Sequence, residues 1–347
     1  MINKFKRVVF PTDFSDTAAS AMRTACSIAA QYNAELDVVT VVDSTVYAYA
    51  GYPFGSLAAD LMNSAETQLK DLKLPKEAAK SKVNRFVLSG NAPKEITDHA
   101  MRHNADLIVM ATHGPGAVAR FFLGSVTDKV LHIAPCAVLV LRKPDKKTPE
   151  RKTGGFKRIL FPTDFSPTAN LALKRAIDLT EDFDAELRLL HIVDDSLIST
   201  HVPEERDIIL KELRTHALEQ MKLGLPADLV ENFHTVAAVK KGSPAKVITS
   251  YAESEGCDLI VMGSHGRTGL NRVLLGSVAD RVVRHAHCPV FIERAKQAAV
   301  GEHKAIVNPT EKPAPGPLKD QSVQVQPKAR SARVEAPLRG GKMPKIP

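Results

Sequence analysis

Between Met262 and Val282 the chain reads MGSHGRTGLNRVLLGSVADRV. Gly263 and Gly266 stand two residues apart, and nine residues later come Gly276 and Ser277. Glycines at this spacing let backbone N–H groups approach anionic oxygens without an intervening Cβ. Gly276–Ser277 reads as the opening of a helix, whose first turn offers unpaired N–H groups and a partial positive charge. Ser264, His265 and Ser277 add side-chain hydrogen bonds, and Arg267 adds a cation. The chemistry these residues can do together is that of a phosphate cradle. A second candidate group is Pro162-Thr163-Asp164, an acid-bearing loop that follows an apolar run.

Both groups recur within the chain. FPTDFS occurs at residues 10–15 and again at 161–166, DLIVM at 106–110 and 258–262, and LGSV at 123–126 and 275–278. The offset is 151 residues for the first pair and 152 for the others, so one domain has been duplicated with one residue gained. The two copies differ where the chemistry is concentrated. Gly114, Gly124, Ser125 and Asp13 are kept in the first copy, but Ala111 replaces Gly263, Pro115 replaces Arg267 and Thr40 replaces His191. If Gly263 is needed for a positive φ or for close approach to phosphate, a methyl group there costs on the order of 1 kcal/mol or more. Pro115 removes a backbone donor as well as the charge. The second copy is therefore expected to bind the anion, and the first weakly or not at all.

The elements that must position these loops alternate between apolar runs and amphipathic stretches. In the second copy strands are expected at 158–161, 187–193, 233–239, 259–262 and 289–292. Helices are expected to start at Ser166–Pro167 and Ser243–Pro244, to run over 204–223, and to lie near 277–287. The first copy follows the same plan and ends in a strand at 137–141. Alternation of this kind predicts an α/β fold: two doubly wound parallel five-stranded sheets of Rossmann-like topology. Ligands bind such sheets beyond the carboxyl ends of the strands, where both candidate loops fall.

The chain resembles a tandem universal stress protein. The family's nucleotide pattern, G-x2-G-x9-G-[ST], is met in full by Gly263, Gly266, Gly276 and Ser277. The PTD of the first strand and the His191–Val193 end of the second strand also match. The resemblance spans about residues 4–142 and 157–294. It implies an adenine-nucleotide-hydrolase-like fold and ATP as ligand, with or without Mg²⁺. It places Asp164, with Pro162 and Thr163, near the sugar and adenine, and Ile192 at the adenine through its backbone. Val41 and Asp13 are the weaker counterparts in the first copy. The organisation implied is a first domain at 1–142 with a degenerate nucleotide site, a linker at 143–156, a second domain at 157–294 and a tail at 295–347. Related domains pair through their last strands, so the copies are expected to form an internal pseudo-dimer through 137–141 and 289–292 and to cover both edges. Association of two such chains into a homodimer is left open.

Composition supports a soluble reading. With 44% hydrophobic and 25% charged residues the chain is ordinary for a globular protein. It has no apolar run of membrane-spanning length and no secretory signal, so a cytoplasmic location without membrane insertion is expected. None of the four cysteines forms a CxxC pair, and all are read as buried structural thiols. The net charge of +8 is concentrated in the tail, where ten Lys/Arg face four Asp/Glu beyond residue 294. That tail is expected to be disordered and to attract nucleic acid weakly and nonspecifically. Gly114-Pro115-Gly116 with Ala119 imitates a dinucleotide fingerprint, but no acid ends the following strand and the other copy breaks the pattern. There is no Walker A motif and no signature of a Ser-His-Asp triad. Three functions compete: a stress-response sensor or regulator that binds ATP, a slow ATPase or autophosphorylating enzyme with Asp164 as the nearest acid, and a nucleotide-free scaffold for protein partners.

Overall fold

The computed structural model describes residues 4–43, 55–112, 123–142, 155–194, 203–226, 235–265 and 275–294. The linker residues 143–154 and the tail lie outside them. The first repeat contains β1 (Arg7–Pro11), α1 (Asp16–Tyr32), β2 (Glu35–Val42), α2 (Gly55–Asp71), a short 3-10 helix (Lys76–Lys80), β3 (Val83–Ser89), α3 (Ala92–Arg102), β4 (Leu107–Ala111), α4 (Ser125–Ile133) and β5 (Ala137–Leu141). The second contains β6 (Arg158–Thr163), α5 (Pro167–Phe183), β7 (Glu186–Val193), α6 (Pro203–Leu223), β8 (Thr235–Lys241), α7 (Pro244–Ser254), β9 (Leu259–Gly263), α8 (Ser277–His285) and β10 (Val290–Glu293).

The two five-stranded sheets join into one through the expected pairing of the last strands. Strand order is β3-β2-β1-β4-β5-β10-β9-β6-β7-β8, parallel within each half and antiparallel only where β5 meets β10. Val140 faces Val290, Leu139 faces Phe291 and Val138 faces Ile292 across this seam. Both faces of the sheet are buried, which is why the strands read as continuous apolar runs. With period two, Val8, Phe10, Leu139, Phe161 and Phe291 point into one core layer, under helices α1 and α5. Val9, Val138, Val140, Leu160 and Ile292 point into the other, under α3, α4, α7 and α8. Each layer contains residues of both repeats, so the hydrophobic core runs unbroken through the seam. All four cysteines are buried free thiols, and burial pushes those of Cys26 and Cys257 up to about 12.

The repeated sequences have structural duties. Asp106 Oδ2 accepts the N–H groups of Lys6 and Arg7 at 2.7 and 3.0 Å, tying the start of β4 to that of β1. Asp258 does the same for Lys157 and Arg158. In LGSV the glycine N–H closes onto the strand-end loop: Gly124 to the Thr112 carbonyl at 2.5 Å, Gly276 to the Ser264 carbonyl at 2.7 Å.

The seam is reinforced reciprocally. Arg142, after β5, donates to the Val283 and Arg284 carbonyls at the end of α8. Its repeat equivalent Arg294, after β10, donates to the carbonyls of Leu131, His132 and Ala134 at the end of α4. Each guanidinium satisfies orphan carbonyls at the negative end of a helix dipole in the other repeat. Arg284 bridges Asp280 and Asp128, adding an ion pair across the seam. On the opposite face Tyr32 donates to Asp182 Oδ2 at 2.7 Å, and Phe5 packs against Tyr32 and Phe291.

Arg294→Ala leaves the buried carbonyls of α4 without a donor. We expect a loss of about 2–3 kcal/mol in urea unfolding, with Arg294→Lys recovering only part because it lacks the planar fork. A variant as stable as the parent shows that the cap contributes nothing.

Candidate functional site

The FPTDFS sequence builds the same turn in both repeats. In the second, Thr163 Oγ1 accepts the Phe165 N–H and Asp164 Oδ1 accepts the Ser166 N–H, each at 3.0 Å. Ser166 then caps α5 by accepting the Ala169 N–H at 3.2 Å. Phe165 is held at φ 61°, in the left-handed region that bulky residues rarely adopt. Its ring lies 4.7 Å from that of His191, whose Nδ1–H donates to the Thr163 carbonyl at 2.8 Å. His191 thus braces the turn against β7. The first repeat repeats the turn with Thr12, Asp13, Phe14 (φ 61°) and Ser15, but has Thr40 in place of the brace.

The acid that FPTDFS carries in both repeats is not buried in either. Asp13 is exposed and Asp164 only partly covered. The first duty of both is to cap the turn with Oδ1. In the second repeat the turn also borders a cavity.

This cavity, of about 290 Å³, lies beyond the carboxyl ends of β6, β7 and β9. Of the residues singled out in the sequence, Pro162, Thr163, Asp164, Ile192, Gly263, His265, Gly276 and Ser277 line it. Ser264 is buried behind the lining, where its hydroxyl meets His265 Nδ1 at 2.8 Å. Gly266 and Arg267 lie outside the described residues, as does Gly114. In the first repeat Val41 is the partly buried next-to-last residue of β2, and Gly124 and Ser125 open α4 as Gly276 and Ser277 open α8.

Gly276 is the N-cap of α8 at φ −67°, ψ 148°, and no side chain caps the helix. Its own N–H is engaged by Ser264, so the first-turn amides that follow it are the anion donors this end can offer. His265 is shifted towards its neutral form by burial first and by the positive charge of Arg294 second. Its Nε2 is buried without a hydrogen-bond partner among the described residues. A neutral imidazole lining a cavity in this way is suited to bonding a ligand oxygen.

Of the two reasons expected for a glycine at 263, the conformational one does not apply, and packing supplies another. The φ of Gly263 is not positive. A Cβ there would meet the Thr168 carbonyl oxygen at 2.8 Å and its carbon at 2.9 Å. The constraint is the first turn of α5 lying on the end of β9, with Thr168 Oγ1 donating to the His265 carbonyl.

Sequence reasoning missed a further difference between the repeats. Ala279, one turn into α8, lines the cavity. Its counterpart in α4 is Thr127, whose buried hydroxyl donates to the Ala111 carbonyl at 2.7 Å. The first repeat therefore carries a larger side chain at this point, bonded across to the strand end. The lining also includes Ala169, Pro244, Ile248, Met262 and Val278. The signal for them was positional, since they sit at strand ends or in the first or second turn of helices that begin there.

Residues 4–142 and 155–294 each match the model of the universal stress protein family. A universal stress protein of Methanocaldococcus jannaschii is 38% identical over 149 residues, covering 40% of this chain and 81% of that protein. One from Mycobacterium tuberculosis is 28% identical over 301 residues, covering 83% of this chain and 96% of the relative. The crystal structure of a universal stress protein from Archaeoglobus fulgidus superposes with a TM-score of 0.60 at 22% identity, covering 83% of this chain and 98% of that one, a likeness of fold.

Gly263→Ala pushes a methyl group into the α5 backbone and should lower stability by about 1–3 kcal/mol in thermal or denaturant unfolding. An unchanged midpoint contradicts the packing account of this glycine.

Proposed function

The chain belongs to the universal stress protein family, and from that premise we propose that it binds ATP in its second repeat and acts as a cytoplasmic sensor or regulator in a stress response. The observation that carries this reading is the convergence of the PTD turn, the β7 end and the α8 N-terminus on one cavity. Ile192, Ile248 and Met262 give it apolar walls suited to adenine. Asp164 stands at the sugar. The amides of α8 and Nε2 of His265 face the phosphates, with Mg²⁺ entering on the triphosphate. A volume of about 290 Å³ suits a nucleoside, with the phosphates leading outward along the helix N-terminus.

Binding is favoured over turnover. Among the described residues Asp164 is the one carboxylate in the lining, and its Oδ1 already accepts the Ser166 N–H. His265 is held towards neutrality with Nδ1 engaged by Ser264. Among the described residues, no helix is long and apolar enough to cross a membrane.

The test is calorimetric titration of the full chain with ATP, beside mass spectrometry of nucleotide released on denaturation. The Gly276 backbone angles are open to any residue, so Gly276→Val fills the cradle without forcing the backbone. It should weaken ATP on the order of a hundredfold, equivalent to about 2.7 kcal/mol. Gly124→Val should change little. Equal losses from both show that the first repeat also binds. No ATP binding by the parent chain ends the proposal.

A further inference from the structure

At the opposite end of the sheet from the nucleotide cavity, the first repeat holds a cluster that the second lacks. Asp37, near the start of β2, is fully buried. His99, in the last turn of α3, is 1% exposed and places Nε2 3.0 Å from Asp37 Oδ2. His103 follows four residues later at the C-cap of α3, on the same helix face, with its ring stacked on His99 at 4.2 Å. Phe86 walls both rings at 4.6 and 5.4 Å. One donor atom from each of Asp37, His99 and His103 lies within 4.8 Å of the other two.

We propose that Asp37, His99 and His103 form a binding site for a divalent transition-metal ion of the zinc type. Two imidazoles and a carboxylate select zinc, nickel, copper or cobalt over magnesium and calcium, which prefer oxygen throughout. Histidines at i and i+4 on one helix face can address a single ion. Ligands about 2.0–2.1 Å from a tetrahedral ion stand about 3.3 Å apart, close to the separation of His99 Nε2 and Asp37 Oδ2. The ion takes the place of the hydrogen between those two atoms, and the neutral imidazole carries its proton on Nδ1 instead of Nε2. His103 is partly exposed, and its ring makes no hydrogen bond among the described residues. It turns its ring edge to the ion, and water completes the shell.

The supporting contacts divide the carboxylate. Asp37 Oδ1 accepts from Arg7 Nη1 and Asn84 Nδ2 at 2.9 and 2.8 Å. Oδ2 is shared by His99 and Arg7. Oδ1 can therefore stay anchored while Oδ2 turns to the metal, and Arg7 keeps its second partner, Glu35, at 2.7 Å. The second repeat is an internal control. Arg188, Tyr251 and Glu255 stand at the three ligand positions, and Arg188 is paired with Glu186 and Glu255. The fold can satisfy this corner without histidine, so stability alone does not call for the imidazole pair.

The test uses the untagged full chain, stripped with a chelator and titrated with Zn²⁺ by calorimetry, with Co²⁺ absorption reporting nitrogen ligation. One tight zinc per chain is expected. His99→Gln should abolish that site. His103→Gln, at the surface and checked for folding by circular dichroism, should weaken zinc about tenfold or more. His285→Gln, elsewhere on the surface, should leave it unchanged. Absence of stoichiometric zinc uptake, or a folded His103→Gln chain that binds zinc as tightly as the parent, overturns the proposal.

Discussion

The antiparallel junction of β5 and β10 is the constraint on which the rest of the molecule depends. Without it each repeat would end in an exposed apolar strand, a template for unwanted pairing. With it, both core layers pass through the joint, and Arg142 and Arg294 are carried into the neighbouring repeat, where they meet the carbonyl ends of α8 and α4. The strand pairing fixes register, and the two arginines fix how the flanking helices lie on it. Glu293 does double work here. The Glu293 side chain is buried against Arg175, its carbonyl accepts the Ser264 N–H at the cavity, and Arg294 follows it directly. Glu293 is pushed up from the usual carboxylate range by burial, an effect that Arg175 opposes. The candidate site is thus hydrogen-bonded, through Ser264, to the strand that forms the joint.

Duplication separates what the fold needs from what a site needs. The turn at FPTDFS, the aspartate of DLIVM and the glycine of LGSV do the same mechanical work in both repeats. Their recurrence needs no ligand to explain it. The differences carry the functional information. Gly263 admits the first turn of α5 against the end of β9, Ala279 leaves space that Thr127 occupies in the first repeat, and His191 braces a turn that Thr40 cannot. At the far end of the sheet the divergence runs the other way, with the imidazoles in the first repeat and an arginine–glutamate network in the second.

Much of this was legible in the chain itself. Alternating apolar runs and helix starts such as Ser166–Pro167 marked the parallel sheets, because strands buried on both faces leave an unmistakable pattern. The internal pairing was implied by the resemblance, since related domains join through their last strands. Two things were not legible. A continuous core depends on how the faces of two sheets align, which no local pattern encodes. The reason for Gly263 lay in Thr168, nearly a hundred residues earlier, and Thr127 reads in sequence as an ordinary helical threonine. Likewise Asp37, His99 and His103 are scattered over two elements, and only the packing of α3 on β2 brings them together.

Because the two halves that meet at the β5–β10 joint are covalently one molecule, their pairing is first order. Dilution cannot dissociate it, and halves cannot shuffle between copies as subunits of a symmetric dimer do. A mutation in one half is therefore always presented opposite the same, different partner. A symmetric pair must change both of its sites at once. This chain is released from that obligation, and its two halves can hold different ligands, or answer different signals, within a single rigid sheet.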